Sequence, residues 1–412
     1  MIISRYWFRA TYCIVAVWAC AWQITLMGID NAHFYRAGLW YGQPRTPKPW
    51  LFSFSSQLVS GSTEMSRNIR SADKPLLARS GLEDLAAIGI VEPHGTPPHA
   101  DIHCTKGFFD GRFDLFEAQF HSYFNLCNGF FLHGHLPVRK IDIVNITFKN
   151  ACSPKLNTSP FWKNVRLNLH NTLTENGLEV KPFRESGVGD FSFLAGWSTT
   201  TYDSCNVDFV DASLEVGVLF PTSKKSNPNE LIHLPLGYNG HYAIPLQFDI
   251  ATGFFDWFTI GFHSIALFFF DNNQDIRPKT IPSIEGIIRL PEPINARVNR
   301  GTLWNLTVYL GGDHCASGVS FLFGFSHDHQ NKSTVRFSNE SGINNAIANT
   351  DPRFDEWYMN VFHFLLEYDW ANEDNPYGPR IGIEVNHIIN GKNIFNASTY
   401  GGYLGLDCEW RY

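Results

Sequence analysis

The chain has little charge for its length and no long hydrophobic run. Asp, Glu, Lys and Arg make up 17% of its 412 residues, whereas ordinary soluble domains carry roughly 25%. No segment reaches the ~18 consecutive apolar residues that indicate a transmembrane helix. The formal net charge of −7 gives no basic surface for nucleic acid. An ordinary soluble domain, a helical membrane protein and a nucleic-acid-binding protein are therefore all disfavoured.

Aromatic residues, by contrast, are plentiful. They form 15% of the chain, and Phe alone accounts for 35 residues. The mean hydropathy is −0.16, which is too polar for a bundle of membrane helices. A transmembrane barrel can have such an average because only every second residue of its strands faces lipid. If the chain spans a membrane, it does so with strands.

The N-terminus has the pattern of a secretory signal peptide. Arg5 and Arg9 precede a largely apolar, uncharged stretch at 10–21, and residues 19–21 read Ala-Cys-Ala. A positive start, a short apolar run and a small-x-small site together predict a signal peptide over 1–21. The chain is therefore expected to be exported.

The rest of the chain divides into two parts in this interpretation. Residues 22–48 precede the first strand and are long enough to form a periplasmic segment or a plug, and residues 49–412 form a barrel. Acylation at Cys20 is the alternative to simple cleavage. It is disfavoured because Trp18 stands where lipoprotein sites usually have a small residue.

Alternation with a period of two is the main structural signal, and the segment 400–412 shows it best. Successive side chains of a strand point to opposite faces. One face carries Leu404, Leu406, Cys408, Trp410 and Tyr412, and the other carries Asp407, Glu409 and Arg411. The segment resembles the C-terminal strand of bacterial outer-membrane proteins, whose terminal aromatic residue is recognised during barrel insertion. Outer-membrane lipid and the barrel-assembly machinery, through Tyr412, are the partners that this resemblance implies.

The same alternation recurs along the chain and predicts twelve strands. Their expected bounds are 49–60, 107–125, 128–146, 186–202, 207–221, 240–252, 255–273, 299–312, 315–330, 355–370, 377–388 and 400–412. The connections alternate between short turns and long loops, as they do in outer-membrane barrels. The predicted fold is an all-β, transmembrane, antiparallel up-and-down barrel of about 12 strands, with 14 as the alternative. Both termini then lie on the short-turn, periplasmic side.

The long outer loops are expected to contain short helices. Apolar residues recur at helix-like spacing over 72–90 and over 161–173. Six of the eight cysteines follow the signal peptide. Cys104 and Cys152 both fall in long loops and are the pair best placed for a disulfide, although the alternative that all six are simply small apolar residues stays open.

Inward-facing charged residues define the expected lumen. The residues expected to line it are Glu117, Arg139, Asp211, Glu215, Asp249, His263, His363, Glu367, Glu384, Asp407, Glu409 and Arg411. Acids outnumber basic residues in this set, and rings of Asp or Glu favour cations in a pore. The open alternative is that these charges pair across neighbouring strands and fill the interior.

No catalytic or metal-binding motif stands out. His94, His99, His103 and Cys104 lie close together in the first long loop, but their spacing matches no short metal motif. No GxSxG elbow for a hydrolase is present. No cofactor, metal or enzymatic activity is therefore expected.

Four short motifs carry a further resemblance, at 186–191, 217–225, 237–242 and 323–327. The chain resembles uncharacterised outer-membrane proteins of Dependentiae-type bacteria. The first two motifs are also similar to those of barrels for aromatic-compound uptake, which are related to the long-chain fatty-acid channels. Ser223 stands here where that family has a glycine. The resemblance implies a barrel and transfers no binding or catalytic residue.

Several functions follow as expectations, in order of preference. The first is a porin-like channel for passive passage of small solutes, with a preference for cations through its acidic lumen. The alternative is a specific uptake channel for apolar or aromatic small molecules, or a barrel that displays its loops for adhesion. A barrel hydrolase is the least favoured function.

Overall fold

A computed structural model describes residues 51–67, 72–78, 81–90, 105–204, 207–255, 257–316, 318–370 and 379–409. Every structural statement below concerns these residues. The predicted signal peptide and the segment 22–48 lie outside them. So do the four residues of the first loop that were weighed as metal ligands.

The described chain is built mainly of strands. The twenty strands are β1 (Leu51–Thr63), β2 (Met65–Arg67), β3 (Asp73–Pro75), β4 (Glu83–Asp84), β5 (Lys106–Asn125), β6 (Phe130–Asn150), β7 (Phe183–Val188), β8 (Phe191–Ser204), β9 (Val207–Phe220), β10 (Ala243–Phe254), β11 (Phe258–Phe269), β12 (Asn272–Ile276), β13 (Ile294–Asn299), β14 (Leu303–Ala316), β15 (Val319–Gln330), β16 (Thr334–Phe337), β17 (Trp357–Asp369), β18 (Pro379–Lys392), β19 (Ile394–Phe395) and β20 (Thr399–Glu409). The α-helices are α1 (Pro160–Glu175) and α2 (Asn345–Ala348), and 3₁₀ turns occur at Leu76–Ala78, Pro154–Thr158, Asn339–Ser341 and Pro352–Phe354. None of the helices described is both long and apolar enough to cross a bilayer.

Twelve of the strands close into one antiparallel barrel, in the order β1, β5, β6, β8, β9, β10, β11, β14, β15, β17, β18 and β20. Strand β20 pairs with β1, for example Gly405 with Ser55, and this pairing completes the ring. The predicted twelve-strand up-and-down barrel is confirmed. The two further strands of the large sheet, β4 and β7, pair with β5 and β6 and are not part of the ring.

One predicted turn is wrong. Residues 312–314 were expected to connect two strands, but β14 continues through them to Ala316. The pairing of β14 with β15 shifts register between Gly312 and Ala316. A bulge of this kind accommodates extra residues in one strand without ending it. Glycines are frequent in turns, but Gly311 and Gly312 lie within β14 and pair with β15.

Burial alternates along the barrel strands as the sequence pattern requires. On β10, the outward Ile244, Leu246 and Phe248 are exposed, whereas the inward Ala243 and Gln247 are buried. The same outward exposure of large apolar side chains is seen at Leu58, Phe116, Leu214, Val216, Ile260, Leu306, Val308, Phe323, Phe325, Ile381, Ile383, Leu404 and Leu406. The barrel therefore presents an apolar band to its surroundings.

The long connections gather at one end, here called the outer end, and pack into a cap. Helix α1 confirms the prediction over 161–173, and it buries Trp162, Val165, Leu169 and Leu173. The side chain of Ser159 accepts a hydrogen bond from Trp162 N at 3.2 Å and so caps its first turn. The cap thus has an apolar core of its own, because α1 packs on the outer ends of β5 and β6.

The helix expected over 72–90 is wrong. Its described part contains one 3₁₀ turn at Leu76–Ala78 and the short strand β4. Gly81 and Gly89 have φ angles of 126° and 75°, which end helical geometry on either side of β4. The apolar spacing instead reflects burial of Leu76, Leu77, Leu85 and Ile88 in the core of the cap.

The described residues show the bonding state of Cys152 and Cys127. Cys152 is disulfide-bonded, and Cys104, its predicted partner, lies outside the described residues. Cys127, in a short turn, is free and exposed. The pairing of Cys104 with Cys152 therefore stays a prediction.

Candidate functional site

Most inward-facing side chains in the outer half of the barrel are apolar, and the polar exceptions are Thr63, Ser192, Asn305, Asp328, Gln330 and Thr399. This outer apolar zone comprises Phe113, Leu115, Ile141, Ile143, Leu219, Ile265, Leu267, Leu303, Met359, Val361 and Ile388, all of them buried. They belong to two contiguous clusters, one continuous with the cap and one along β9 to β18. A water-filled barrel has a polar interior, so this zone is suited to apolar rather than hydrated solutes.

A polar belt adjoins the zone, near the middle of most strands and closer to the outer end on β14 and β15, where Asn305 pairs with Ile265 and Asp328 with Met359. It comprises Gln57, Glu117, Gln119, His121, His133, Arg139, Glu215, Asn305, Ser326, Asp328, His363, Glu384 and Asn386. Most of these side chains are buried, with Glu117, His133, Asn305 and Ser326 fully enclosed. Neighbouring strands place them in register, and they are linked by hydrogen bonds.

Glu117 and Arg139 form the ion pair of the belt. Arg139 Nε donates to Glu117 Oε2 at 2.5 Å, and its Nη1 donates to the carbonyl of Leu236 at 2.7 Å. Gln119 also donates to Glu117. Leu236 belongs to the connection between β9 and β10, so this connection reaches into the barrel mouth and is fastened to the belt.

A second chain of contacts links β1, β18, β17 and β15. Gln57 and Asn386 both donate to Glu384. The ring of His363 lies between Asn386 Oδ1, 2.6 Å from Nδ1, and Ser326 Oγ, 2.8 Å from Nε2. Ser326 also contacts Asp328 at 3.1 Å. A serine that is fully enclosed and shared in this way belongs to the polar network rather than to an accessible nucleophilic site.

Histidines form a third group within the belt. His133 Nδ1 lies 2.8 Å from Glu215 Oε2, and His121 Nδ1 lies 3.4 Å from His133 Nε2. The ring of Tyr123 stacks on His133 at 4.1 Å, and His135 stacks on His121 at 4.5 Å. In the described part of the chain, no group of three or more His, Cys, Asp or Glu residues is arranged to hold a metal ion.

The structure places the predicted lumen residues on the inner face of the strands. Glu117, Arg139, Glu215, His263 and Glu384 are buried there, whereas Asp211, Asp249, His363 and Glu367 are half-buried. The side chains of Asp407 and Glu409 are outside the description, as is Arg411. A wide aqueous pore would leave such residues exposed. Their burial does not support the open, cation-preferring lumen expected above.

Sequence reasoning missed the neutral partners of these charges. Gln57, Gln119, Asn305 and Asn386 are buried beside Glu117, Asp328 and Glu384. They share the inward parity of the charged residues, so the alternation pattern could have identified them. A search for charged residues alone does not identify these neutral partners.

Three of the four resemblance motifs meet at the outer rim of the barrel. The carboxylate of Asp190 accepts hydrogen bonds from Ser223 N at 3.0 Å and from Tyr238 N at 2.5 Å. A Cβ at Gly237 would collide with Asp190 and Ser223. Since position 223 uses its backbone N–H, serine performs the same role as the expected glycine. This junction fixes the loop that carries Leu236 into the barrel mouth.

A cavity of about 230 Å³ opens between the cap and the outer mouth. Its apolar wall includes Leu77, Ile143, Leu178, Ile232, Ile276, Ile287, Phe354 and Phe395. Ile143 also belongs to the outer apolar zone, so the cavity borders that zone. Polar groups make up about half of the lining, among them Glu230, His233, Arg277, Arg289 and Arg353. A concave site that combines an apolar wall with placed polar groups is a candidate ligand site.

A buried charge cluster holds the cavity wall together. Arg289 donates to both carboxylate oxygens of Asp351 at 2.9 Å, and Arg353 donates to Asp351 at 2.7 Å. Glu83 accepts from Ile287 N at 2.6 Å and from Ile288 N at 3.4 Å. The first loop is thereby joined to the loop before β13. We call the contacts of Glu83 with this loop the Glu83 latch.

The Glu83 latch is expected to weaken as the pH rises. Burial raises the pKa of Glu83 to about 7 from 4.5, although two N–H groups and Arg289 favour the carboxylate. A carboxyl with a raised pKa in the folded state stabilises it fully below its unfolded value, and the contribution is lost as the pH rises through the folded pKa. Hydrogen exchange of the Ile287 amide, corrected for intrinsic rates, should show progressively easier opening between about pH 5 and about pH 8.

The control is Glu83→Gln, which keeps the shape but cannot ionise. The change in protection with pH should disappear in this variant, while other titrating groups of the cap act on both proteins alike. An equal pH dependence in the two proteins would show that Glu83 is not the titrating group.

Comparisons with known proteins return structures but no family. No family model matches the chain. No curated protein matches it either. The COG4313 outer-membrane channel from Pseudomonas putida F1 aligns with this chain at 11% identity and a TM-score of 0.47. The alignment covers 88% of this chain and 95% of that one. The toluene transporters TodX of Pseudomonas putida and TbuX of Ralstonia pickettii align at 10% and 7% identity, with TM-scores of 0.32 and 0.33.

The two toluene transporters cover 93% and 88% of this chain, which in turn covers 96% and 90% of theirs. At these scores the barrel assignment rests on the strand pairing described above. The resemblance to Dependentiae-type proteins finds no counterpart among the matches and stays a prediction.

Proposed function

We propose that the chain is an outer-membrane channel for small apolar or aromatic molecules. Solutes enter the cap cavity and pass into the outer apolar zone. This is the alternative that the sequence left open, and it replaces the porin-like function. One observation carries it: most inward-facing side chains of the outer half are apolar.

The outer surface of the barrel supports a membrane location. Outward side chains such as Leu214 and Leu404 are about half exposed, which would be unfavourable over so wide a band in water. A closed barrel satisfies every backbone hydrogen bond between its strands, so it can lie in hydrocarbon without an unpaired edge. In such barrels the longer loops face the cell exterior, which puts the cap on that side.

The interior supports an apolar cargo. Burying a small aromatic ring against Leu, Ile and Phe side chains is favourable, at roughly 25 cal/mol per Å² of apolar surface. A hydrated ion gains nothing there and loses its water. The polar belt is enclosed and its acids have hydrogen-bond partners, so it supplies little free charge to attract cations.

Uptake by porin-deficient Gram-negative cells tests the proposal. Cells that express the chain should accumulate labelled toluene several times faster than cells without it. They should take up labelled raffinose no faster. Accelerated entry of the sugar without that of toluene would contradict an apolar path and restore the porin-like function.

A matched pair of variants links uptake to the barrel interior. Val361→Thr adds one hydroxyl at nearly constant volume within the outer apolar zone, where Val361 is 2% exposed. It should slow toluene uptake a few-fold, because the buried hydroxyl disfavours an apolar solute beside it. Val188→Thr makes the same change at a residue that is 43% exposed on β7, and it should have no effect. Equal uptake by both variants would place the path elsewhere.

A further inference from the structure

We propose that the cap cavity prefers uncharged aromatic molecules that carry a hydroxyl group, and that His233 is the residue that recognises this hydroxyl. This inference rests on the proposed function and deepens it by naming the class of substrate. It follows from which polar groups of the cavity wall are already occupied.

The arginines of the wall are engaged in hydrogen bonds. Arg277 donates to the carbonyl groups of Gly177, Pro228, Leu290 and Pro291 and to the side chain of Asn229. Arg289 and Arg353 both bind Asp351, and Arg353 also donates to the carbonyl of Arg277. A carboxylate is recognised by an available guanidinium group. A charged carboxylate ligand would therefore compete with Asp351 and these carbonyl groups for the same guanidinium groups, which weakens its binding.

The acidic and amide groups are occupied too. Glu230 pairs with Lys181 at 3.2 Å and accepts from Asn227 at 2.9 Å. Asn239 accepts from Ser226 at 2.8 Å and donates to Gln274 at 2.7 Å. These bonds fix the side chains to one another, so they offer little new capacity to a ligand.

His233 differs from its neighbours. Its ring lines the cavity and makes no hydrogen bond within the described structure; Nδ1 is shielded from solvent, so Nε2 is the nitrogen that a ligand can reach. Its ring lies edge-on to Phe183 at 4.9 Å, which holds its orientation. Burial lowers the pKa of His233 and outweighs Glu230 and Glu185, which raise it, while Lys224 and Lys181 make smaller lowering contributions.

A neutral imidazole offers one donor and one acceptor, and a hydroxyl group can pair with either. A hydrogen bond between a ligand hydroxyl and the reachable Nε2 contributes about 0.5–1.5 kcal/mol net. A hydroxyl-bearing ring therefore gains a contact that a plain hydrocarbon lacks. Its charge-free surface also avoids the penalty that a carboxylate meets.

The size of the cavity agrees with this class. An engineered apolar cavity of roughly 150 Å³ in another protein binds benzene. The space here is about 230 Å³, which accommodates one substituted ring beside Leu178, Ile232 and Phe354. The apolar wall takes the ring, and His233 takes the hydroxyl.

Three ligands with one scaffold test the inference. Toluene, p-cresol and 4-methylbenzoate differ only in bearing no polar group, a hydroxyl or a carboxylate opposite the methyl. Calorimetric titration of the full chain in nanodiscs, with empty nanodiscs subtracted, should give p-cresol about five- to tenfold tighter binding than toluene, the gain of one hydrogen bond. The carboxylate should bind more weakly than toluene.

Variants identify the residue. His233→Phe keeps an aromatic ring and should abolish the preference for p-cresol over toluene. His233→Gln restores a donor and an acceptor and should recover part of the preference. His170→Phe, at an exposed position of α1, is the matched control and should behave like the unmodified chain.

The outcomes separate this inference from the proposed function. Equal binding of toluene and p-cresol, or a preference that survives His233→Phe, overturns the role of His233 and leaves apolar uptake in place. Tightest binding of 4-methylbenzoate overturns the preference for uncharged ligands. Absence of binding by all three, together with normal toluene uptake by cells, overturns the cavity as a binding site without touching the transport function.

Discussion

Replacing Leu214 by arginine should destabilise the barrel by about 2–4 kcal/mol, the cost of a cation on the lipid face near the bilayer midplane. Leu214 lies in the middle of β9, points outward and is 50% exposed. In water, an exposed Leu→Arg change would be close to neutral. The large effect is expected only because the surroundings of this side chain are hydrocarbon.

Leu167→Arg is the control. Leu167 is 58% exposed on α1, in the cap and away from the outward apolar band. Urea titrations of the chain refolded into lipid vesicles should show a large loss for Leu214→Arg and a change within about 0.5 kcal/mol for Leu167→Arg. Two small losses would mean that β9 faces water, and the transmembrane barrel would be untenable.

Asp351→Ala should loosen the cap by about 3–5 kcal/mol, because it leaves Arg289 as an uncompensated buried charge. Arg289 and Asp351 are 2% and 0% exposed. Burial by itself would raise the pKa of Asp351, but Arg353 and Arg289 outweigh it and hold that pKa well below its usual value. The ionised carboxylate is thus the form that joins the loops before β13 and β17.

Asp355→Ala is the matched comparison four residues away. Asp355 pairs with Lys332 at 2.7 Å, and both side chains are partly exposed. Such pairs contribute about 0–1 kcal/mol. Hydrogen exchange over 277–290 should accelerate by about two orders of magnitude or more in Asp351→Ala and hardly change in Asp355→Ala. Similar protection in both variants would show that the Arg289–Asp351 pair does not hold the cavity wall.

Much of the barrel could be predicted from the sequence because its periodicity is set by one physical contrast. Outward residues face an apolar medium and inward residues do not. The alternation along each strand therefore places Leu214, Phe323 and Ile381 on the outer face. Turn chemistry was a weaker guide. Gly312 marks close packing against Phe321 within the ladder, and a local pattern does not separate this use of glycine from a turn.

The cap was harder to predict. The apolar spacing over 72–90 has the period of a helix, but its residues are buried by contacts with β5 and with α1, not by a helix of their own. Tertiary burial and helical periodicity give the same local pattern. Only the glycines at 81 and 89 argue for the turns that the structure contains.

The interior could be predicted by face but not by pairing. Glu117 and Arg139 were both assigned inward, yet their contact depends on the register of β5 and β6 and on Leu236, which is 97 residues from Arg139 in sequence. The same holds for Asp190 with Tyr238, 48 residues apart. Charge counting therefore suggested an open acidic lumen, whereas pairing and burial produce an enclosed polar belt.

Single-channel conductance of the refolded chain in a planar bilayer tests the central claim most directly, once protease protection has shown that the barrel is inserted. An enclosed polar belt beside an apolar zone predicts no steady conductance in simple salt. A steady, ohmic current carried by small ions would contradict it, because such a current requires a continuous water-filled lumen, and the burial of Glu117, Glu215 and Glu384 argues against one.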